Sequence, residues 1–364
     1  MEKDKENDHS VSIDSLRNRI SRIDEKIVEL LDERMSCVQE VARFKKESNL
    51  MFYVPEREKE IYKKVLTKAK LFPDKGLRVI FREVMSASLS LEKPLKIAYL
   101  GPEATFTHQA AMKRFGVSLN YLPEERIEDI FLDVENDRVD FGVVPIENSI
   151  EGVVNYTLDM FMNVNVYIVS EIILEIKHAL MNKSGKAEDV KAIYSHPNAL
   201  AQCRGWLKKH FPDVPTFETT STAKAAKIAQ ENKEAASIAS QSASELYDLR
   251  LIANGIEDRL NNITRFLVIG KYISHKSGRD KTSIMFSIKD RVGALYHILK
   301  PIYESGVNLT RIQSRPSGRE TWTYVFYIDL CGHIEDDCVK KSIDKIREET
   351  VFFKVLGSYP AEER

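Results

Sequence analysis

Apolar residues recur along the chain with three different rhythms. Leu16, Ile23, Leu30, Cys37 and Phe44 stand seven residues apart, and Ile20, Ile27 and Val41 fill a second row. That is the seam of one helix of about 30 residues, which needs a partner helix to bury it. Ser12 or Asp14 suits its N-cap. Pro55 fits the first turn of a second helix carrying Ile61, Val65 and Ala69, and a third follows Gly76 with Leu77, Ile80, Phe81 and Val84 inside. Residues 11–93 therefore read as an all-α unit, behind a charged, solvated tail at 1–10. Lys93 precedes Pro94, which disfavours a continuing helix. Residues 94–273 alternate short β-rich runs with helical runs. That order predicts an α/β unit of two lobes with mainly parallel strands. A polar, glycine-containing linker at 274–280 follows. Residues 281–364 give the order βαββαβ, the ferredoxin-like arrangement.

Composition narrows the function classes. At roughly 150 residues per domain, 364 residues give about 2.4 domains. The net charge of −1, from 54 basic and 55 acidic residues, argues against a nucleic-acid partner. No apolar run approaches the roughly 20 residues of a membrane span, and the N-terminus lacks a signal-peptide core. Cys37, Cys203, Cys331 and Cys338 are scattered, without metal-ligand or disulfide-framework spacing. A cytoplasmic protein without a metal is the expectation.

Candidate chemistry sits where polar residues break the apolar pattern. Arg34 occupies a seam position of the long helix. Lys45, eleven residues on, lies about 20° past three full turns and points the same way. Two cations on one buried face should attract an anion. Ser88 and Glu92 continue the buried Ile80–Val84 row of the third helix. A solvated coiled-coil arm, with Arg34 reaching water, accounts for the same periodicity. In the α/β unit, polar clusters fall at strand ends: Thr105, Thr107 and His108; Glu147, Asn148 and Ser149; Ser195, His196 and Gln202; Ser221 and Thr222; Asn261, Asn262, Thr264 and Arg265. Turns and N-caps use these residue types too. Together they mark a ligand cleft beyond the strand ends, in an enzyme or in a non-catalytic ligand sensor.

The wording of the motifs adds a family resemblance. LRNRISRIDEKIVELLDERMSCVQEVARFK, PEREKEI and FREVMSASLSLE resemble the all-helical chorismate mutase domain. The resemblance implies a chorismate site built by two chains. Arg17 would cross from the partner, with Arg34, Lys45 and Arg57 as the other cations. Glu58, Ser88 and Glu92 would meet the substrate hydroxyl and ether oxygen. Arginine forks hold carboxylates, and Lys45 would stabilise charge developing on the ether oxygen. Glu92 contributes only if it carries or shares a proton. Val54 stands where some members carry an acid.

GPEATFTHQAA, PIENSIEGVV, SHPNALAQCRGWL and NNITRFLVIG, in that order, resemble prephenate dehydratase, a two-lobed fold like the periplasmic binding proteins. The resemblance makes Thr264 the catalytic proton or hydrogen-bond donor. Asn148, Ser149, Arg265 and the backbone near Thr105 become donors to the substrate carboxylates. Phe106, Glu147, Ser195, His196, Gln202, Ser221, Thr222 and Phe266 complete the prephenate site, with Asn198 where glutamine is common. No cofactor is implied. The last unit resembles the ACT domain: Asp290 to Gly293 lead into its helix, and Gly293, Ala294 and Leu295 match its Gly-Ala-Leu motif. Ser314, Arg315 and Pro316 match its Ser-Arg-Pro motif, with Gln313 replacing a glutamate. With Asn308 and Leu309 these would bind phenylalanine as an allosteric effector. The three resemblances imply conversion of chorismate to prephenate and then to phenylpyruvate. They also imply feedback by phenylalanine and a homo-oligomer, at least a dimer through the helical and ACT units.

Overall fold

The computed structural model describes residues 12–48, 50–289, 291–316 and 324–362. The expected tail at 1–10 and Asp290 lie outside the described residues. Three helices form the first unit: α1 (Ile13–Glu47), α2 (Pro55–Lys68) and α3 (Asp74–Glu92). Ser12 caps α1, its Oγ accepting from the Ser15 N–H at 3.2 Å. Lys45 and Lys46 close the last turn, where the helix dipole favours cations. Helix α3 starts at Asp74 rather than after Gly76, because Pro73 takes the N-cap. No residue of α1 is buried, so its apolar seam stays open in the single chain.

The middle unit holds two sheets. The first runs in the order Asn120–Glu124, Lys96–Leu100, Phe141–Asn148, Ile263–Gly270, Tyr167–Glu175, with the short strand Gly152–Val153 on Phe141–Asn148. The second runs Arg250–Asn254, Ala179–Asn182, Ala235–Ala239, Ala192–Ser195, Thr216–Glu218. Each contains a parallel trio. The remaining strands are antiparallel, which corrects the mainly parallel expectation. The chain crosses between lobes twice, and Ile263–Gly270 returns to the first sheet against its neighbours' direction. Strands Asn120–Glu124, Ala179–Asn182 and Arg250–Asn254 and helix Asn155–Asn163 carry no legible pattern. Two of these strands have only five residues and one has four, too few to establish a period of two. The helix expected near 199–210 is two helices, Pro197–Gln202 and Arg204–His210, broken at Cys203.

The third unit is a four-stranded antiparallel sheet, ordered Leu309–Pro316, Tyr324–Cys331, Asp280–Ser287, Phe352–Pro360. Alternation assigns its two faces. Ile284, Phe286 and Ile328 pack under helices Ala294–Glu304 and Asp337–Glu349 through Ile298, Val339 and Ile343. Met285, Tyr327 and Tyr359 face the other way and share one core with Ile146, Leu158, Phe161 and Ile168 of the first lobe. A Cβ at Gly357 would collide with the Ile168 carbonyl oxygen. The unit is thus packed onto the lobe, not hung from its linker.

Candidate active sites

A cavity of about 480 Å³ opens between the lobes. Its rim is made of helix N-termini, because each helix follows a strand that ends there. Thr105 caps helix Phe106–Phe115: its Oγ1 accepts from the His108 N–H at 3.3 Å and donates to the Leu100 carbonyl at 3.0 Å. Ser221 caps helix Thr222–Glu231, accepting from the Lys224 N–H at 3.1 Å. His196 caps the short helix Pro197–Gln202, and burial lowers its pKa against the pull of Glu151 and Glu218. Thr105, Phe106, His196, Asn198, Gln202, Ser221 and Thr222 all line the cavity.

Thr264 lies at its floor, 8% exposed, at the start of the strand that returns to the first sheet after the second crossover. Its strand pairs it directly with Asn148. Asn148 Oδ1 accepts from the Ile150 and Glu151 N–H groups at 2.8 and 2.9 Å. The amide orientation is therefore set, and Nδ2 donates to Thr264 Oγ1 at 2.8 Å. Thr264 accepts in that bond, which leaves its own proton for the cleft. Phe266, two residues on, faces the same side.

The intervening side chains face away, as strand alternation requires. Arg265 was expected to meet a substrate carboxylate. Instead it points away from the cleft, where Glu171 of the neighbouring strand Tyr167–Glu175 holds it at 2.8 Å and Asp329 and Tyr359 Oη of the ACT-like sheet at 2.6 and 2.9 Å. Glu147 likewise leaves the cleft and pairs with Arg311 at 3.3 Å. Ser149 is used by the 261–263 turn: its Oγ donates to the Asn261 carbonyl at 3.2 Å and accepts from the Ile263 N–H at 3.0 Å. Ser195 is fully buried and donates to the Ile238 carbonyl at 2.6 Å. Among the described residues no Lys or Arg lines the cavity, which corrects the expectation of an arginine there. His178 and Glu151 also line it. His178 is a lone histidine beside an apolar run and had no sequence signal, whereas Glu151 stands within the PIENSIEGVV motif and was not singled out there.

In the helical unit, α1 and α3 bring four expected residues together. Arg34 Nη1 donates to Ser88 Oγ, and the Ser88 hydroxyl in turn donates to the Val84 carbonyl at 2.6 Å. Lys45 Nζ meets Glu92 Oε2 at 2.7 Å and the Phe52 carbonyl at 3.1 Å. Burial lowers the Arg34 pKa against the opposing pull of Glu92. Arg17 lies on the open helix beside Asp14 at 3.6 Å, and Arg57 is exposed against Glu60 at 2.7 Å. Glu58 departs from expectation. It turns from α1 to Arg114 of the first lobe, at 3.2 Å, and burial raises its carboxyl against that cation's pull. Val54 is the N-cap residue of α2 and makes no side-chain cap bond.

In the third unit Gly293, Ala294 and Leu295 line a cavity of about 460 Å³ with Arg291, Tyr296, Tyr324 and Phe326. Gly293 caps the helix in the left-handed region, φ 77°, which favours glycine. The expected Asn308, Leu309, Gln313, Ser314 and Arg315 stand outside this cavity. Arg315 pairs with Asp159 of the first lobe at 2.9 Å, and Gln313 Nε2 donates to the Ser314 carbonyl at 3.3 Å. Leu309 packs on the core under the helices, and the Asn308 carbonyl accepts from the Cys331 N–H at 2.8 Å.

A two-lobed cleft with an oriented hydroxyl, a helical unit with two inward-turned cations and a ferredoxin-like unit together define a multidomain enzyme with a regulatory module. Residues 16–93 match the type II chorismate mutase family, 97–273 the prephenate dehydratase family and 282–348 the ACT domain family. The bifunctional chorismate mutase/prephenate dehydratase of Aquifex aeolicus is 50% identical, covering 95% of this chain and 97% of that protein. That of Pseudomonas aeruginosa is 45% identical over 95% of this chain and 97% of its own length. The solved prephenate dehydratase of Arthrobacter aurescens, in complex with L-Phe, is 32% identical with a TM-score of 0.69, covering 73% of this chain and 90% of that one. The chain belongs to the family of bifunctional chorismate mutase/prephenate dehydratases. It carries both enzyme activities.

Proposed function

We propose that the Arg34–Lys45–Ser88–Glu92 site rearranges chorismate, and that the inter-lobe cleft converts the prephenate formed into phenylpyruvate. The first reaction is pericyclic: one C–O bond breaks, one C–C bond forms, and no atom is exchanged. The site has only to hold the compact conformer and stabilise charge on the ether oxygen. Arg34 supplies a carboxylate fork, and Lys45 the charge at the ether. Glu92, now paired with Lys45, completes the contact when it shares a proton. Arg17 of a second copy supplies the remaining fork. The open apolar seam of α1 supports a homo-oligomer of this kind.

In the cleft, the bond from the ring to its carboxylate breaks and CO2 leaves. The electron pair enters the ring, which becomes aromatic, and the ring hydroxyl departs as water with a proton from Thr264, which solvent then restores to the alkoxide. Asn148 keeps the Thr264 lone pair occupied. With no Lys or Arg among the described residues lining the cavity, the N-terminal N–H groups of helices Phe106–Phe115 and Thr222–Glu231 hold the substrate carboxylates. The orientation of the Thr264 hydroxyl carries this reading. Thr264→Ala should lower the dehydratase rate roughly 100-fold or more and leave the mutase rate intact. Dehydratase activity at the original level in that variant overturns the assignment.

Phenylalanine inhibits through the ACT unit. The L-Phe complex of the Arthrobacter aurescens relative and the cavity at Gly293–Leu295 support that unit as the effector site. No helix among the described residues is long and apolar enough to cross a membrane.

A further inference from the structure

Three side-chain amides, a carboxylate and an imidazole join the two lobes beneath the cleft, and the direction of each hydrogen bond is determined. The Glu151 carboxylate only accepts, so the Gln202 atom 3.0 Å away is its NH2 nitrogen. Gln202 Oε1 then receives Asn262 Nδ2 at 2.8 Å and meets His178 Nε2 at 2.9 Å. Asn262 Oδ1 receives Asn148 Nδ2 at 2.7 Å, the same nitrogen that donates to Thr264. Because Gln202 Oε1 is an acceptor, the ring proton of His178 sits on Nε2. Nδ1 is left as a buried lone pair without a partner. Proteins tolerate an orphaned acceptor more often than an orphaned N–H.

His178 is 2% exposed and meets the Phe106 ring edge-on at 5.5 Å. Its backbone N–H donates to Glu257 at 2.9 Å. The residue lies on the first crossover between the lobes, Asn262 on the second, and Gln202 on a second-lobe helix. The chain of bonds therefore forms only when both crossovers and both lobes are in register.

We propose that His178 is a positioning residue for the dehydratase reaction: its Nε2–H fixes the Gln202 carbonyl, which through Asn262 and Asn148 keeps the Thr264 proton turned into the cleft. The proposal rests on Thr264 as the proton donor. Without the imidazole donor, Gln202 loses one of the two groups that hold Oε1 and is freer to turn over. Asn262 would follow and set its NH2 against that of Asn148. Two donors without an acceptor repel, and Asn148 is drawn off Thr264.

Three substitutions in the full-length protein test this. His178→Phe keeps a ring without the donor. His178→Gln places an amide N–H near the position of Nε2–H, and His178→Asn falls short of it. We expect kcat for prephenate to fall roughly 10- to 100-fold in the Phe and Asn variants, the scale on which the outer partners of an oriented active-site group act. KM should change little, and the Gln variant should recover. The mutase rate of each preparation reports that the chain is folded. Ring-nitrogen NMR of the unaltered protein should show the Nε2–H tautomer at neutral pH. Full kcat in His178→Phe, equal losses in the Gln and Asn variants, or a ring proton on Nδ1 would each overturn the proposal. Thr264→Ala separates it from the reading beneath. If that variant stays active the proton donor itself is wrong; if it is inactive while His178→Phe is fully active, only the positioning role falls.

Discussion

Thr264 and Arg265 are neighbours in the chain and serve opposite sides of one sheet. Thr264 faces the cleft, whereas Arg265, held within its own lobe by Glu171, ties the dehydratase lobe to the ACT sheet through Asp329 and Tyr359. Asp329 also accepts from Ser283 Oγ at 2.5 Å. Burial alone would raise the Asp329 carboxyl, but Arg265, Arg311 and the Ser283 hydroxyl outweigh it and hold it below its ordinary value. A carboxylate depressed in the folded state stabilises fully above its unfolded pKa, about 3.9, and loses that contribution as pH falls through its folded value. Asp329→Asn should therefore be less stable than the unaltered protein near neutral pH and lose less stability on acidification below about pH 4. Denaturant melts from pH 3 to 7 measure this, and parallel acid limbs would refute it. Arg265→Met should cost about 3–5 kcal/mol in the same melts, because it takes the direct cation from the buried Asp329, while Glu171 keeps Lys281 at 2.7 Å.

Helix α1 was legible because a seven-residue repeat is a local property of the chain. The structure leaves Ile27 49% and Leu30 64% exposed, uncovered by any element among the described residues. Leu30→Asp places a charge in the centre of that seam. It should shift the protein to a smaller species by light scattering and abolish the mutase, while the dehydratase cleft, built within one chain, keeps its rate. An unchanged mass with an unchanged mutase would remove the shared seam. Strand elements were legible where they were long. Ile263–Gly270 and Phe141–Asn148 each have eight residues, enough to stand out as β-rich apolar runs although most of each is buried on both faces, whereas Ala179–Asn182 has only four.

Across the whole molecule the three units share contacts that a linker reading would not foresee. The ACT sheet and the first lobe have one continuous core. The chain's end also reaches the helical unit, where Lys59 Nζ donates to the Ala361 carbonyl at 2.6 Å. An effector that binds two arrangements of the ACT unit unequally must then shift the lobe as well. Phenylalanine titration should lower the dehydratase rate and change the small-angle scattering profile over the same concentration range. A falling rate with a constant profile would argue against a change of shape. Motif wording and periodicity by themselves determined the order of units, the presence of a cleft and the identity of the oriented threonine, because these depend on short-range rhythm and on residues close in sequence. The tertiary structure alone decided which side each polar residue serves. Arg265 carries the right chemistry for a carboxylate and Glu58 for a hydroxyl, and yet both, with Glu147, hold the units together. A side chain's direction follows from the strand or helix packed against it, and those partners lie far away in the chain.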